Sequence, residues 1–165
     1  MKRLFGICLV LVGLVLAAPG GAAEPAAPPS LGGLETLVGQ WQAPSPEGGT
    51  AHVTYELASG GSALLERIDT GEGGSMVTVY HRDGEGLALT HYCMLQNQPR
   101  MRAASTGGKV FDFAFVDVTN LATQDAPHMR SLKLTLVDKD HFHQDWTFHQ
   151  AGQEVLHSFR YERVK

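Results

Sequence analysis

The feature that most constrains this fold is an alternation of apolar and polar residues with a period of two, which runs from Gly39 almost to the C-terminus. A period of two is typical of β-strands that bury one face. Turns rich in glycine, aspartate and serine interrupt it, and most are shorter than the dozen or more residues that a parallel crossover needs. We therefore predict ten strands that pair antiparallel in chain order. Their predicted bounds are Gly39–Ala43, His52–Ala58, Ala63–Thr70, Ser75–Arg82, Gly86–Met94, Arg100–Ser105, Lys109–Val116, Met129–Asp138, His141–His149 and Glu154–Val164.

The two faces of the predicted strands differ in polarity. Phe111, Phe113 and Phe115 share one side of a strand, whereas Asp112 lies on the other. A meander with one apolar face buries that face by curling closed, which also removes its exposed edges. The sequence therefore predicts an all-β, antiparallel up-and-down barrel of about ten strands, preceded by a short helix near Leu34–Val38.

The N-terminus has the pattern of a secretory signal peptide. Lys2 and Arg3 form a positive segment, Leu4–Ala18 carries no charge, and small residues lead up to Ala23. The uncharged stretch is shorter than the roughly 20 apolar residues that span a membrane. We predict a signal peptide at 1–23 with cleavage after Ala23, and hence a periplasmic or secreted product.

The rest of the chain has the length of one domain, with a flexible lead-in at 24–33 and the barrel at 34–165. Loss of Lys2 and Arg3 leaves 11 of the 13 basic residues against 17 acidic ones. With no basic run, nucleic acid is a poor candidate partner, and no membrane span is expected. Loss of Cys8 leaves Cys93 without an intramolecular partner, so stability must come from packing.

Strand parity places several polar residues on the inner face. His91 and Cys93 lie two residues apart there, and they are either a metal-binding or nucleophilic pair or simply buried wall residues. Polar groups in an apolar barrel must pair with each other, hold water or contact a ligand. The other inward candidates are Glu66, Asp117, Arg130, Gln144 and His157.

One long connection, 117–128, separates two of the strands. Long loops of compact barrels often act as lids or portals, and the alternative here is a simple cap.

The start and end of the domain resemble the calycin superfamily, which contains the lipocalins. Gly39-Gln40-Trp41 opens the first strand, and Arg160 and Arg163 lie on the last. The resemblance implies that Trp41 packs beneath the barrel under a late arginine. Segments such as Leu57–Glu66 and Met76–His81 are similar to an uncharacterised bacterial group of lipocalin-like proteins, which implies the fold and no activity.

More distant resemblances imply alternative ligands. Fatty-acid-binding barrels use inward arginine and tyrosine against a carboxylate, so Arg130 with Tyr55 or Tyr161 would suit an acidic ligand. Arg130 and Glu66 are alternatively a mutually satisfied buried pair. Haem-binding barrels of the nitrobindin type use a late histidine, for which His157 is the nearest counterpart, although no cofactor is expected.

These observations predict an exported barrel that binds a small apolar or amphipathic molecule, with Arg130, His91 and Tyr161 orienting its polar group. One alternative is an enzyme that uses His91 with Cys93 or Asp117. Another is a structural envelope protein with a filled barrel. No hydrolase signature such as Gly-x-Ser-x-Gly occurs, so no motif supports the enzyme alternative, which stays open behind the binding function.

Overall fold

A computed structural model describes residues 30–45, 48–69, 74–104 and 107–165. The predicted signal peptide and most of the predicted lead-in lie outside the described residues. The described part contains no helix that is both long and apolar enough to cross a membrane.

Ten strands form one closed antiparallel barrel, as the alternation predicts. Each strand pairs with the next along the chain, and β1 pairs with β10 to close the sheet. The strands are β1 Gly39–Pro44, β2 Thr50–Ala58, β3 Ala63–Asp69, β4 Ser75–Asp83, β5 Gly86–Tyr92, β6 Gln98–Ala103, β7 Val110–Thr119, β8 His128–Leu136, β9 His141–Gln150 and β10 Gln153–Arg163.

A short turn and a buried tryptophan close one end of the barrel. The predicted helix is a single 3₁₀ turn, Leu34–Leu37, and the side chains at both of its ends are buried. The indole Nε1 of Trp41 donates to the carbonyl of Leu37 over 2.7 Å. The guanidinium of Arg163 lies 4.0 Å from the centroid of the Trp41 ring, so the predicted stacking is confirmed for Arg163.

Arg163 also ties this closing turn to the barrel. It donates to the carbonyls of Thr36, Val38 and Lys139 at 2.9 to 3.0 Å. Gly39 has a φ of +129°, and a Cβ there would lie 2.7 Å from Nη1 of Arg163. The glycine of the Gly-x-Trp segment is therefore required both by its backbone and by the arginine beside it.

The strand that carries His91 ends earlier than predicted. β5 ends at Tyr92, and Cys93 begins a tight turn in which its backbone N–H donates to the carbonyl of Asn97. Gln96 in this turn has a φ of 64°. Cys93 therefore belongs to a loop at the barrel end and is only partly buried.

A bulge in β7 changes the side on which Asp117 lies. Arg100 pairs with Asp117 and Met101 with Phe115, so Val116 has no opposite residue and is 58% exposed. A bulged residue reverses the facing of those that follow it. Asp117 consequently forms a bidentate surface ion pair with Arg100, and the prediction that it faces the barrel interior is wrong.

A second bulge, in β8, changes the position of Arg130. Met129 pairs with Phe148 and Ser131 with Thr147, which leaves Arg130 between them without an opposite residue. Its guanidinium carbon lies 4.2 Å from the centroid of the Phe115 ring. Arg130 does not line the cavity described below, and no hydrogen bond or ion pair joins it to Glu66 among the described residues.

Candidate functional site

A cavity of about 300 Å³ opens at the end of the barrel opposite Trp41. Ser45 and Ile68 mark the ends of β1 and β3 there, and Ala51 and Met76 mark the starts of β2 and β4. Its wall is mainly apolar and includes the side chains of Met76, Met94, Met129, Trp146, Phe148 and Phe159. Methionine is flexible and polarisable, so this wall can adapt to the shape of an apolar group.

A few polar side chains interrupt this wall. They are Ser45, His91, Cys93, Gln144, His157 and Tyr161. Among the described residues that line the cavity there is no lysine, arginine, aspartate or glutamate. An apolar pocket with a few convergent polar groups is the usual form of a small-molecule site.

A buried carboxyl group, Glu66, lies behind the floor of the cavity. It is fully buried and accepts hydrogen bonds from the hydroxyls of Tyr55 (2.8 Å) and Tyr80 (2.7 Å). The Nε2 of Gln144 donates to the same carboxyl over 2.6 Å, and Trp146 Nε1 donates to Oε1 of Gln144 over 3.2 Å. This network connects Glu66 to two residues of the cavity wall.

Burial shifts the pKa of the carboxyl and of the two tyrosine hydroxyls in this network. Desolvation raises the pKa of the Glu66 carboxyl, and the hydrogen bonds from Tyr80, Gln144 and Tyr55 partly oppose that rise. Burial also raises the pKa of both tyrosine hydroxyls well above its ordinary value, and the nearby Glu66 adds to the effect. Both tyrosines therefore act as neutral donors.

Cross-strand pairing aligns four inward side chains in one row. Tyr55 pairs with Glu66, Glu66 with Thr78, and Thr78 with His91 across β2 to β5. Directly opposite side chains in a sheet are close enough to interact. The row therefore extends the Glu66 network as far as His91.

His91 ends this row in the cavity wall. Its Nδ1 lies 2.9 Å from the hydroxyl of Thr78, and its ring centroid lies 5.0 Å from that of Trp146. The side chain is only 1% exposed, and its Nε2 has no hydrogen-bond partner among the described residues. Burial lowers the pKa of His91 to about 4, so the ring is neutral near pH 7.

The predicted site residues divide into three groups. His91, Cys93, Gln144, His157 and Tyr161 line the cavity together. Tyr55 and Glu66 belong to the network behind it, and Arg130 and Asp117 lie elsewhere. Of the two predicted catalytic pairs, His91 with Asp117 is therefore not formed.

Cys93 and His157 both line the cavity, where Cys93 has a partly buried thiol and His157 packs against an aromatic ring. Desolvation raises the pKa of the Cys93 thiol, which makes it a weak nucleophile at neutral pH. The ring of His157, on which the haem alternative depends, lies 5.9 Å from that of Phe148 and perpendicular to it. Among the described residues, no group of three or more histidines, cysteines and carboxylates is arranged to hold a metal ion.

The sequence reasoning missed Thr78, Tyr80 and Trp146 as site residues. Thr78 and Tyr80 alternate with Met76 on the inner face of β4, so the same parity that selected Glu66 would have found them. A threonine and a tyrosine were unremarkable in a strand, where both are common.

The predicted long connection, 117–128, is shorter in the structure, where the loop between β7 and β8 comprises residues 120–127 and packs beside the turn that follows β5. Asn97 Nδ2 donates to the carbonyl of Pro127 over 2.9 Å, and a surface cleft of about 470 Å³ lies between these segments. Leu95 lines both this cleft and the cavity. The loop therefore lies beside the cavity mouth.

Comparison with known proteins identifies the fold and no family. No family model and no curated protein matches this chain. A crystal structure of a protein of unknown function from the DUF3598 family of Nostoc punctiforme aligns with a TM-score of 0.54 and 14% identity, over 87% of this chain and 53% of that one. This chain thus spans about half the length of that protein, and the likeness shows a shared β-barrel fold. A redesigned β-barrel aligns with a TM-score of 0.38 and 12% identity over 79% of this chain and 94% of that one.

Proposed function

We propose that this chain is an exported, lipocalin-like binding protein that holds a small apolar or amphipathic molecule in its barrel. The observation that carries the proposal is the cavity of about 300 Å³ at the open end. Natural ligand pockets begin at roughly 300 Å³, and an engineered apolar cavity of about 150 Å³ already binds benzene. A filled structural barrel would not need this space.

The apolar wall would supply most of the affinity. Burial of apolar surface contributes roughly 25 cal/mol per Å², and the aromatic side chains Trp146, Phe148 and Phe159 offer flat surfaces to a ligand. The polar wall atoms would orient its polar group, since they are few and lie at defined positions.

Binding is tested with the neutral fluorophore N-phenyl-1-naphthylamine, whose emission rises in an apolar site. Saturable binding is expected in the wild type and should be lost in Ala51→Phe, because Ala51 lines the cavity and is 1% exposed. Ala114→Phe is the matched control, since Ala114 is exposed on β7.

Near-ultraviolet circular dichroism should confirm that all three proteins are folded. A folded wild type that does not bind the fluorophore would contradict the proposal, as would binding that Ala51→Phe leaves unchanged. Native mass spectrometry of protein purified from its own host would then identify any resident molecule. A porphyrin in that spectrum would favour the haem interpretation of His157 over a lipid or other small molecule.

Export has its own test. When the full chain is expressed with a C-terminal tag, the protein should be found outside the cytoplasm. Its measured mass should be that of a chain whose first residue is Glu24. Retention of the intact N-terminus in the cytoplasm would contradict the export half of the proposal and leave the binding half untouched.

A further inference from the structure

We infer that the ligand is a neutral amphipathic molecule with a hydroxyl group, and that this hydroxyl forms a hydrogen bond with Nε2 of His91. The inference rests on the proposed function and names the chemical class that the cavity selects. It differs from the acidic ligand implied by the resemblance to fatty-acid-binding barrels, which depended on an arginine in the cavity wall.

The first step is that a buried polar atom in the wall has no partner. His91 lines the cavity and is 1% exposed, and its Nε2 makes no hydrogen bond to any residue that the structure describes. A buried polar atom without a partner costs about 1 to 3 kcal/mol, and nearly all such atoms in folded proteins are satisfied. A group that occupies the cavity is therefore the natural partner for this nitrogen.

The second step is the chemistry that this nitrogen accepts. The 2.9 Å contact between Nδ1 of His91 and the hydroxyl of Thr78 occupies one ring nitrogen in either tautomer. Neutral imidazole carries one proton, so Nε2 either accepts or donates a hydrogen bond. A hydroxyl group can do both, so a ligand hydroxyl is a partner for Nε2 in either tautomer.

The third step concerns charge. No cationic side chain lies among the described lining residues, and the buried carboxyl of Glu66 lies directly behind Gln144. A ligand carboxylate would lose its hydration there without gaining an ion pair, which is strongly unfavourable. A cationic ligand gains little either, because both oxygens of Glu66 already accept hydrogen bonds from Tyr55, Tyr80 and Gln144.

The fourth step is size and shape. The cavity has about twice the volume of the engineered cavity that binds benzene. The ring of Trp146 lies 5.0 Å from that of His91, at an angle of 46°. A ligand of one or two rings can stack on Trp146 while its hydroxyl reaches His91.

Three probes with the same ring system separate the contributions of the ring, the hydroxyl and the charge: naphthalene, 1-naphthol and 1-naphthoate. Titration calorimetry at pH 7.5 should show 1-naphthol binding about fivefold to tenfold more tightly than naphthalene, since one hydrogen bond contributes about 1 kcal/mol. The carboxylate should bind at least tenfold more weakly than naphthalene.

The preference for 1-naphthol over naphthalene should disappear in His91→Phe, which keeps a flat ring without the two ring nitrogens. His52→Phe is the matched control, because it makes the same change at an exposed histidine of β2 and should keep the preference. If His91→Phe does not fold, nitrogen NMR of the wild type serves instead. The Nε2 resonance of His91 should then shift with 1-naphthol and stay in place with naphthalene.

The outcomes distinguish this inference from the proposed function. Equal binding of naphthalene and 1-naphthol, tightest binding of 1-naphthoate, or a preference that His91→Phe retains would overturn the assignment to His91 and leave the binding function standing. Absence of binding by all three probes to the folded wild type would overturn both.

Discussion

The hydroxyl oxygen of Thr78 lies 2.9 Å from Nδ1 of His91, directly opposite it on the neighbouring strand. This contact occupies Nδ1 and leaves Nε2 without a partner among the described residues. It therefore connects the row of buried polar side chains to the hydrogen-bonding capacity of the cavity wall.

His91 should make the protein less stable in acid. Its pKa is about 4 in the fold and about 6.5 in an unfolded chain. The unfolded state therefore binds a proton first as the pH falls, and stability that is fully present above pH 6.5 is lost progressively down to pH 4. Urea denaturation should show that the free energy of unfolding of the wild type falls by about 2 to 3 kcal/mol more than that of His91→Phe between pH 7.5 and pH 4.5.

The comparison between the wild type and His91→Phe isolates the contribution of His91 to the pH dependence of stability. The raised pKa of Glu66 acts in the opposite direction, since it reduces stability as the pH rises above the ordinary carboxyl value. Because Glu66 is present in both proteins, its contribution largely cancels in the difference. A constant difference over this pH range would show that His91 is not held neutral by burial.

Removal of the Glu66 carboxyl should destabilise the barrel strongly. In Glu66→Leu the donors of Tyr55, Tyr80 and Gln144 would lose a buried acceptor. Unsatisfied buried groups cost about 1 to 3 kcal/mol each, so we expect a loss of about 3 kcal/mol or more in the free energy of unfolding.

Glu66→Gln is the matched variant because it keeps the shape and one acceptor oxygen. It should lose about 1 kcal/mol in the same urea titration. Equal losses for the two variants would mean that packing volume, and not hydrogen bonding, accounts for the contribution of this residue.

Arg163 should contribute far more to stability than Arg160, although both lie on β10. Arg163→Met removes three hydrogen bonds to backbone carbonyls and the stacking on Trp41. We expect a loss of about 3 kcal/mol in urea denaturation.

Arg160→Met removes a surface ion pair with Asp145 and should cost less than about 1 kcal/mol. The two variants change the same side chain in the same way on one strand. If Arg163→Met were no more destabilising than Arg160→Met, the closing turn would not depend on Arg163.

Cys93 should report cavity occupancy. Its thiol lines the cavity and its pKa is raised by burial. Its alkylation by iodoacetamide at pH 8 should therefore be about tenfold slower than that of an unstructured cysteine peptide.

Saturating 1-naphthol should slow this reaction further, as quantified by mass spectrometry of the peptide that contains Cys93. The reactive thiol and the ligand compete for the same space, so an unchanged rate at saturation would indicate binding outside the cavity.

Parity predicted much of the candidate site. His91, Gln144, His157 and Tyr161 were assigned to the inner face by counting along their strands, and all four line the cavity. Counting succeeds there because β5, β9 and β10 are regular up to these positions. The same counting fails for Asp117, which follows a bulge in β7, and for Arg130, which lies within a bulge in β8. A bulge is a tertiary adjustment of one strand to its neighbour, and neither sequence segment carries a glycine or proline that would signal it.

By itself, the sequence determined the all-β class and the number of strands, and its resemblance to the calycin superfamily implied the closing end at Trp41. The class and the number of strands depend on local alternation and turn residues, which are properties of short segments. Only the tertiary structure decided which polar groups meet: the row from Tyr55 through Glu66 and Thr78 to His91 requires the register of four strands at once. The unpartnered Nε2 that this row leaves in the cavity wall is a consequence of that register, because a shift of one residue would turn each of these side chains to the opposite face.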